Sequence, residues 1–241
     1  MIRFLRLFFS YILWVIWWTN AIISIITLML ISFVIPKKMY NGPVRLVCRL
    51  LCWCVFIFPK AINRSGADTP YPVIYTANHV SFFDLFVSGA VLPGNPRGLE
   101  LKSHFSKPVY GWFITRFGEI PIDPKSASSI KRSFENAADI LKRGERSLLI
   151  MPEGTRTRDG MVKKFRSGAF YLSRKSSVPV VPVVYKNLYN INNSNSHIIK
   201  PGIVKAVLLP PVYPQNFDSD DQMAEYVKSL IEQELAKTDE T

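Results

Sequence analysis

One of the three histidines, His79, stands in Asn78-His79-Val80-Ser81-Phe82-Phe83-Asp84. A neutral imidazole takes a proton from a hydroxyl near physiological pH if an acceptor holds its other ring nitrogen. Asp84, five residues on, meets that need if His79 sits in a turn and Asp84 in the first turn of the helix that follows. The plainer reading is that Asp84 only favours the positive end of that helix and that His79 is a surface residue. Ser81 lies next to this pair, but there is no G-x-S-x-G elbow, so serine hydrolysis of that type has no support. His104 and His197 show no comparable carboxylate partner.

A second group is Met151-Pro152-Glu153-Gly154-Thr155-Arg156. Glycine, a hydroxyl and an arginine directly after an apolar strand can grip a phosphate through backbone N–H groups and a guanidinium fork. Arg158, Lys163, Lys164 and Arg166 continue the basic surface; the alternative is a turn with solvated charges. The P-loop pattern is absent. A third group runs from Lys102 through Pro108, Gly111-Trp112 and Gly118-Glu119-Ile120-Pro121-Ile122-Asp123, and reads as a helix, a turn and a short strand. A fourth, Val178-Pro179-Val180-Val181-Pro182-Val183, reads as a core strand.

These groups need elements to position them. Tyr71–Thr76 is expected as a strand and Ser81–Leu92 as the helix after it, so that His79 falls in a strand-to-helix turn, where α/β proteins place active sites. Pro108–Phe117 is expected as a short helix. The next helix is capped by Ser126 or Ser128, carries Ile130, Phe134, Ala137 and Leu141 at helical spacing, and closes at Gly144. Ser147–Met151, Val178–Tyr185 and Ile203–Leu209 are expected as strands. The prolines of the second place it near an edge or at irregular pairing. Asn190–Asn195 reads as a polar loop. Ser219 caps a last helix with Met223, Tyr226, Val227, Leu230 and Ile231 as its buried stripe. Strands separated by helices give an α/β fold, a mixed sheet flanked by helices.

The N-terminal quarter differs. Leu7–Ile35 is free of charge and carries Trp14, Trp17 and Trp18. It is longer than the apolar core of a cleaved signal peptide and long enough for a membrane anchor. Val44–Phe58, after the turn at Pro36–Pro43, is expected as an interfacial helix with Arg45 and Arg49 reaching lipid phosphates. Together they form a membrane-embedded hairpin, with the bias of basic residues placing the rest of the chain on the cytoplasmic side. Cys48, Cys52 and Cys54 form no disulfide framework and read as small buried hydrophobes. The division expected is 1–64 membrane-anchoring helices, 65–214 catalytic domain and 215–241 acidic C-terminal helix and tail.

Lys and Arg number 30 against 18 Asp and Glu, a net charge of +12. Hydrophobic residues at 48% exclude a disordered chain, and the charge implies an anionic partner. No nucleic-acid-binding motif appears, and the apolar run argues against such a partner.

In order and spacing the four groups resemble the glycerolipid acyltransferases, and within them the bacterial 1-acyl-sn-glycerol-3-phosphate acyltransferases. The resemblance covers roughly residues 60–212. Its blocks are N-H-x4-D at His79–Asp84, a K-x-x-x-F…P…G-W…G-x-I-x-I-D stretch at Lys102–Asp123, P-E-G-T-R at Pro152–Arg156 followed by Phe165-Arg166-Ser167-Gly168, and V-P-V-x-P-V at Val178–Val183. The resemblance implies transfer of an acyl group from acyl-CoA or acyl carrier protein to lysophosphatidate, on the cell inner membrane and in contact with membrane lipids. His79 and Asp84 would be catalytic. Asn78, Lys102, Glu153, Gly154, Thr155 and Arg156 would bind substrate, and no metal or further cofactor is implied. One departure concerns the acceptor: where the family pattern often continues I-D-R, this chain has Asp123-Pro124-Lys125. Another lysolipid or glycerol 3-phosphate as acceptor, and a non-catalytic peripheral lipid-binding protein, are the alternatives.

Overall fold

The structure is a computed structural model that describes residues 2–65, 69–94 and 96–237. Seven strands form one mixed sheet: β1 (Ile57–Asn63), β2 (Ile74–Ala77), β3 (Arg97–Leu101), β4 (Ile120–Ile122), β5 (Leu148–Ile150), β6 (Val180–Lys186) and β7 (Gly202–Leu208). Their spatial order is β1-β7-β6-β2-β5-β3-β4. The five strands from β6 to β4 run parallel, while β7 meets β6 antiparallel and β1 follows β7. The carboxyl ends of β2 to β6 therefore share one edge with the amino ends of β1 and β7. Ligands of open α/β sheets bind outside such an edge.

Two helical layers cover the sheet, as alternating side chains of buried strands require. Tyr75, Ala77, Val181 and Val183 face α1 (Ile2–Val34), α2 (Asn41–Trp53) and α3 (Asp84–Val91), against Trp17, Leu51, Phe83 and Val87. Ile74, Leu148, Val180 and Val184 face α5 (Ala127–Lys142), α6 (Gly168–Ser176) and α8 (Asp220–Ala236). Between them in sequence lie α4 (Tyr110–Phe117) and the single turn α7 (Leu188–Ile191). Ser126, not Ser128, caps α5 by accepting from Ser129 N, and Ser219 caps α8 through Gln222 N. Gly118 and Gly144, at φ +82° and +64°, follow the last turns of α4 and α5, a left-handed position that glycine takes without strain.

Several expectations are corrected. The stretch expected as one interfacial helix over Val44–Phe58 divides: α2 ends at Trp53 and Ile57 already starts β1. Pro59 is tolerated there because β1 is an edge strand. Arg45 and Arg49 do not reach outward. They donate to Leu92 O and Ala90 O at 2.5 and 3.1 Å, the carbonyl end of α3, where a helix dipole favours cations. Of the three free cysteines only Cys52 is fully buried, Cys48 and Cys54 being half-buried.

The strand of Val178–Tyr185 is central rather than at an edge, but its pairing is irregular as expected. Pro182 lacks the N–H that would face β7. The ladder with β7 begins at Val183 and resumes only as the bridge between Val180 and Val212. Tyr226, expected in the buried stripe of α8, is exposed beside Phe217, and Ala224 is buried instead. The helix α7 occupies the start of the expected Asn190–Asn195 loop.

Candidate active site

The turn between β2 and α3 carries His79. Asp84 is the first residue of α3, and its carboxylate is fully buried. It accepts from Val80 N at 2.9 Å and Ser81 N at 3.1 Å, and lies 2.5 Å from His79 Nδ1. Burial pushes the Asp84 carboxyl above its usual range, while His79 and the two backbone donors act against that shift by favouring the carboxylate. With Nδ1–H donated to Asp84, the Nε2 lone pair of a side chain 25% exposed is free to accept a proton. The expected dyad is thus assembled, and by the geometry the sequence required.

The backbone of His79 is held from the next strand. Its N–H donates to Glu153 Oε1 at 2.8 Å, and its carbonyl accepts from Thr157 N at 2.8 Å. Glu153, 4% exposed, accepts from Lys163 N at 3.1 Å on its other oxygen. Burial raises its carboxyl pKa, and these two backbone donors counter that shift. The carboxylate of the Glu-Gly-Thr-Arg segment therefore points inward and ties two loops together, while Gly154, Thr155 and Arg156 face solvent. The split makes electrostatic sense, because an anion held at the exposed part is spared a neighbouring carboxylate.

Gly154 has φ +70°, and a Cβ placed there would lie 2.9 Å from the Arg166 guanidinium carbon. Arg166 is anchored by its own N–H on Pro152 O. Lys163 Nζ bonds Thr155 Oγ1 at 3.2 Å and Arg156 O at 2.8 Å. Arg156, Lys163 and Arg166 thus surround the exposed loop, and backbone and guanidinium donors together suit a phosphate. Lys102 is exposed at the same sheet edge, just beyond β3. It is two strand spacings from β2, about 10 Å, and no hydrogen bond joins it to the His79 turn.

Asn78 is occupied otherwise than expected. Its Oδ1 accepts from Tyr185 N at 2.8 Å and its Nδ2 donates to Tyr185 O at 3.3 Å, joining the end of β2 to β6. His104 is also corrected: its Nδ1 bonds Glu100 Oε1, a partner one helical turn earlier in sequence. That pair lies at the end of β3, apart from the His79 turn. Among the described residues no three His, Cys, Asp or Glu side chains gather as a metal would require.

One participant escaped sequence reasoning. Ser81 Oγ donates to Asn192 Oδ1 at 3.0 Å, both residues buried. Asn192 Nδ2 reaches Ser196 O and Ile198 O at 3.4 and 3.1 Å. The next residues hold α1: Trp14 Nε1 donates to His197 O at 2.8 Å, and Ile199 N to Ser10 Oγ at 3.1 Å. Trp14 and Trp17 also pack on Phe82 and Phe83, inside the turn that carries His79. Asn192 sits in Asn-Ile-Asn-Asn-Ser-Asn, a composition that signals only a loop.

The family model for acyltransferases matches residues 61–186. The 1-acyl-sn-glycerol-3-phosphate acyltransferase BAT2 of Brassica napus is 32% identical over 161 residues, 65% of this chain and 44% of that protein. The 1-acyl-sn-glycerol-3-phosphate acyltransferase of Escherichia coli K12 is 26% identical over 177 residues, 73% of this chain and 71% of that protein. The chain spans about half the length of the plant chloroplast and yeast relatives it matches. The crystal structure of the 1-acyl-sn-glycerophosphate acyltransferase PlsC from Thermotoga maritima superposes with a TM-score of 0.84 at 19% identity, over 98% of this chain and 100% of that one. It shares the fold. The matched span runs from the end of β1 to the end of β6 and holds the dyad, Lys102 and the Glu-Gly-Thr-Arg loop, so the chain belongs to the acyltransferase family.

Proposed function

We propose that the protein transfers a fatty acyl group from a thioester, acyl-CoA or acyl carrier protein, to the sn-2 hydroxyl of 1-acyl-glycerol 3-phosphate, giving phosphatidate. The observation that carries this reading is the 2.5 Å contact between His79 Nδ1 and the buried Asp84 carboxylate, which leaves Nε2 for substrate. His79 Nε2 takes the proton of the acceptor hydroxyl as its oxygen attacks the thioester carbonyl. Asp84 holds the tautomer and stabilises the imidazolium that forms. As the tetrahedral intermediate collapses, the C–S bond breaks and His79 returns its proton to the thiolate. No acyl-enzyme is formed. A base of this kind contributes about 10²–10⁴-fold, the remainder coming from positioning and stabilisation of the oxyanion.

The acceptor phosphate is assigned to the exposed loop of Gly154, Thr155 and Arg156, with Lys102 a second cation at the same edge. Glu153 serves by holding the His79 backbone. No metal or resident cofactor enters the scheme.

Phe4–Val34 is long and apolar enough to cross a membrane, but the packing of α1 favours another arrangement. Its inner side meets the domain at Ser10, Trp14, Trp17 and Ser32, the last through Arg116. Those contacts extend over about 33 Å at 1.5 Å per residue, as much as the thickness of a bilayer core. Its outer side exposes Phe8, Val15, Trp18, Ile22, Ile26, Leu30 and Phe33. A helix docked along its length with an apolar outer face lies in one leaflet. We assign that leaflet to the cytoplasmic side of the inner membrane. Lipids brominated near the headgroup should then quench Trp18 more than lipids brominated at the chain ends; the reverse order would establish a spanning helix.

The deciding experiment measures thiol release by the purified full chain in mixed micelles with oleoyl-CoA and lysophosphatidate, with His79→Ala as control. Release that requires both lysophosphatidate and His79 is the expected result. Release only with a different lysolipid would reassign the acceptor and mark Pro124 as the cause. Silence across all acceptors by folded protein would overturn the enzyme reading in favour of a lipid binder.

A further inference from the structure

The first half of α1 and the segment leading into β7 enclose a groove of about 580 Å³ at the catalytic edge of the sheet. Its walls include Phe9, Ile12, Phe56 and Ile198, and its cations are Arg6 and Lys200. The two cations are neighbours by construction. Arg6 lies one helical turn before Ser10, and Ser10 Oγ bonds Ile199 N, next to Lys200. No carboxylate lines the groove, and neither cation has an ion-pair partner among the described residues.

Phe56 is the second sign. It has φ +60°, a left-handed conformation that a bulky side chain adopts only when its surroundings hold it there. Its carbonyl accepts from Gly202 N at 2.9 Å, and the residue is left 51% exposed on the groove wall. The left-handed turn carries the chain from the end of α2 into β1 and leaves the Phe56 side chain on the outside. Phe9 and Ile12 are likewise exposed, and they continue the apolar outer face of α1. The groove is thus an apolar trough open to the surface assigned to the bilayer, with two cations in its wall.

We propose that this groove binds one molecule of an anionic glycerophospholipid, its phosphate between Arg6 and Lys200 and an acyl chain along Phe9, Ile12 and Phe56. A peptide or a free anion would use only half of that surface, whereas a bilayer lipid uses both. The site rests on the reading that α1 lies flat in one leaflet, and His79 is not among the residues that line it.

Native mass spectrometry of the full chain, offered equimolar dioleoyl phosphatidylglycerol and dioleoyl phosphatidylcholine in detergent, tests it. One phosphatidylglycerol per chain should bind saturably, in preference to phosphatidylcholine. Arg6→Glu and Lys200→Glu should each weaken retention about fivefold or more, the effect of one cation at an anionic lipid. Phe56→Gly suits the left-handed backbone, so it should keep or raise the melting temperature while lowering retention. Equal retention of both lipids, unaltered retention in the charge-reversed variants, or competitive displacement by lysophosphatidate would overturn the proposal. Acyl transfer in the same micelles separates the two readings. Turnover without selective phosphatidylglycerol binding removes the groove alone; selective binding without turnover on any lysolipid removes the enzyme reading alone.

Discussion

Two desolvated carboxylates sit at opposite edges of the sheet, and they differ in what surrounds them. Asp84, at the carboxyl edge, is bonded by two backbone N–H groups and the ring of a half-exposed histidine. Glu119, at the amino edge just before β4, accepts from Gly98 N at 2.7 Å and lies 3.9 Å from the buried Arg97. Burial pushes the Glu119 carboxyl up to about 7, with Arg97 and Gly98 opposing the shift. Both groups are desolvated. Only Asp84 orients a side chain whose second ring nitrogen is left to accept a proton, so burial alone does not separate the two carboxylates; the group that each one orients does.

On that contrast, changes at the first edge should alter turnover and changes at the second should alter stability. The largest effect falls on His79→Ala, which should reduce kcat by at least about 10³-fold while the melting temperature stays near wild type. Asp84→Asn should cost about 10²–10³-fold in kcat, through loss of the tautomer and of imidazolium stabilisation. Arg156→Ala should raise KM for lysophosphatidate about 10–100-fold, the value of a charge-assisted hydrogen bond. An equal rise with monoacylglycerol as acceptor would remove Arg156 from the phosphate site.

Asn192→Ala should lower kcat about 5–10-fold at nearly constant KM, by freeing Ser81 and leaving buried polar atoms unpaired. A change in stability without a change in kcat would make Asn192 structural only.

The smallest effect belongs to the other edge. Glu119 is protonated in the folded protein up to about pH 7 and in the unfolded chain only to about 4.5. Its contribution to stability is therefore full below about 4.5 and is lost as pH rises towards about 7. The melting temperature of Glu119→Gln should fall less over that interval, with kcat unchanged. A loss of turnover in Glu119→Gln would break the comparison.

The turn of His79 and Asp84 was legible because its parts are local. His79, Asp84 and the capping geometry lie within six residues, and a strand followed by a helix is enough to bring them together. The same holds for Ser126 and Ser219 as caps. The strands β1 and β3 were not legible. Ile-Phe-Pro-Lys-Ala-Ile-Asn contains a proline that only an edge position permits, and Arg-Gly-Leu-Glu-Leu carries an arginine whose charge is matched 22 residues later by Glu119. The two arginines of α2 resemble lipid-reaching residues until α3 is placed beside them.

By itself the sequence determined the α/β order, the apolar first helix, the dyad and the basic loop, because each follows from short-range spacing and side-chain chemistry. Tertiary structure decided four things. It turned Glu153 inward and left Arg156 outside, it spent Asn78 on the backbone of β6, and it linked Asn192 to a serine 111 positions away. It also laid α1 along the domain rather than leaving it free. These outcomes depend on which strands become neighbours, and a hydrogen bond or a packed face between distant segments leaves no periodicity in either one alone.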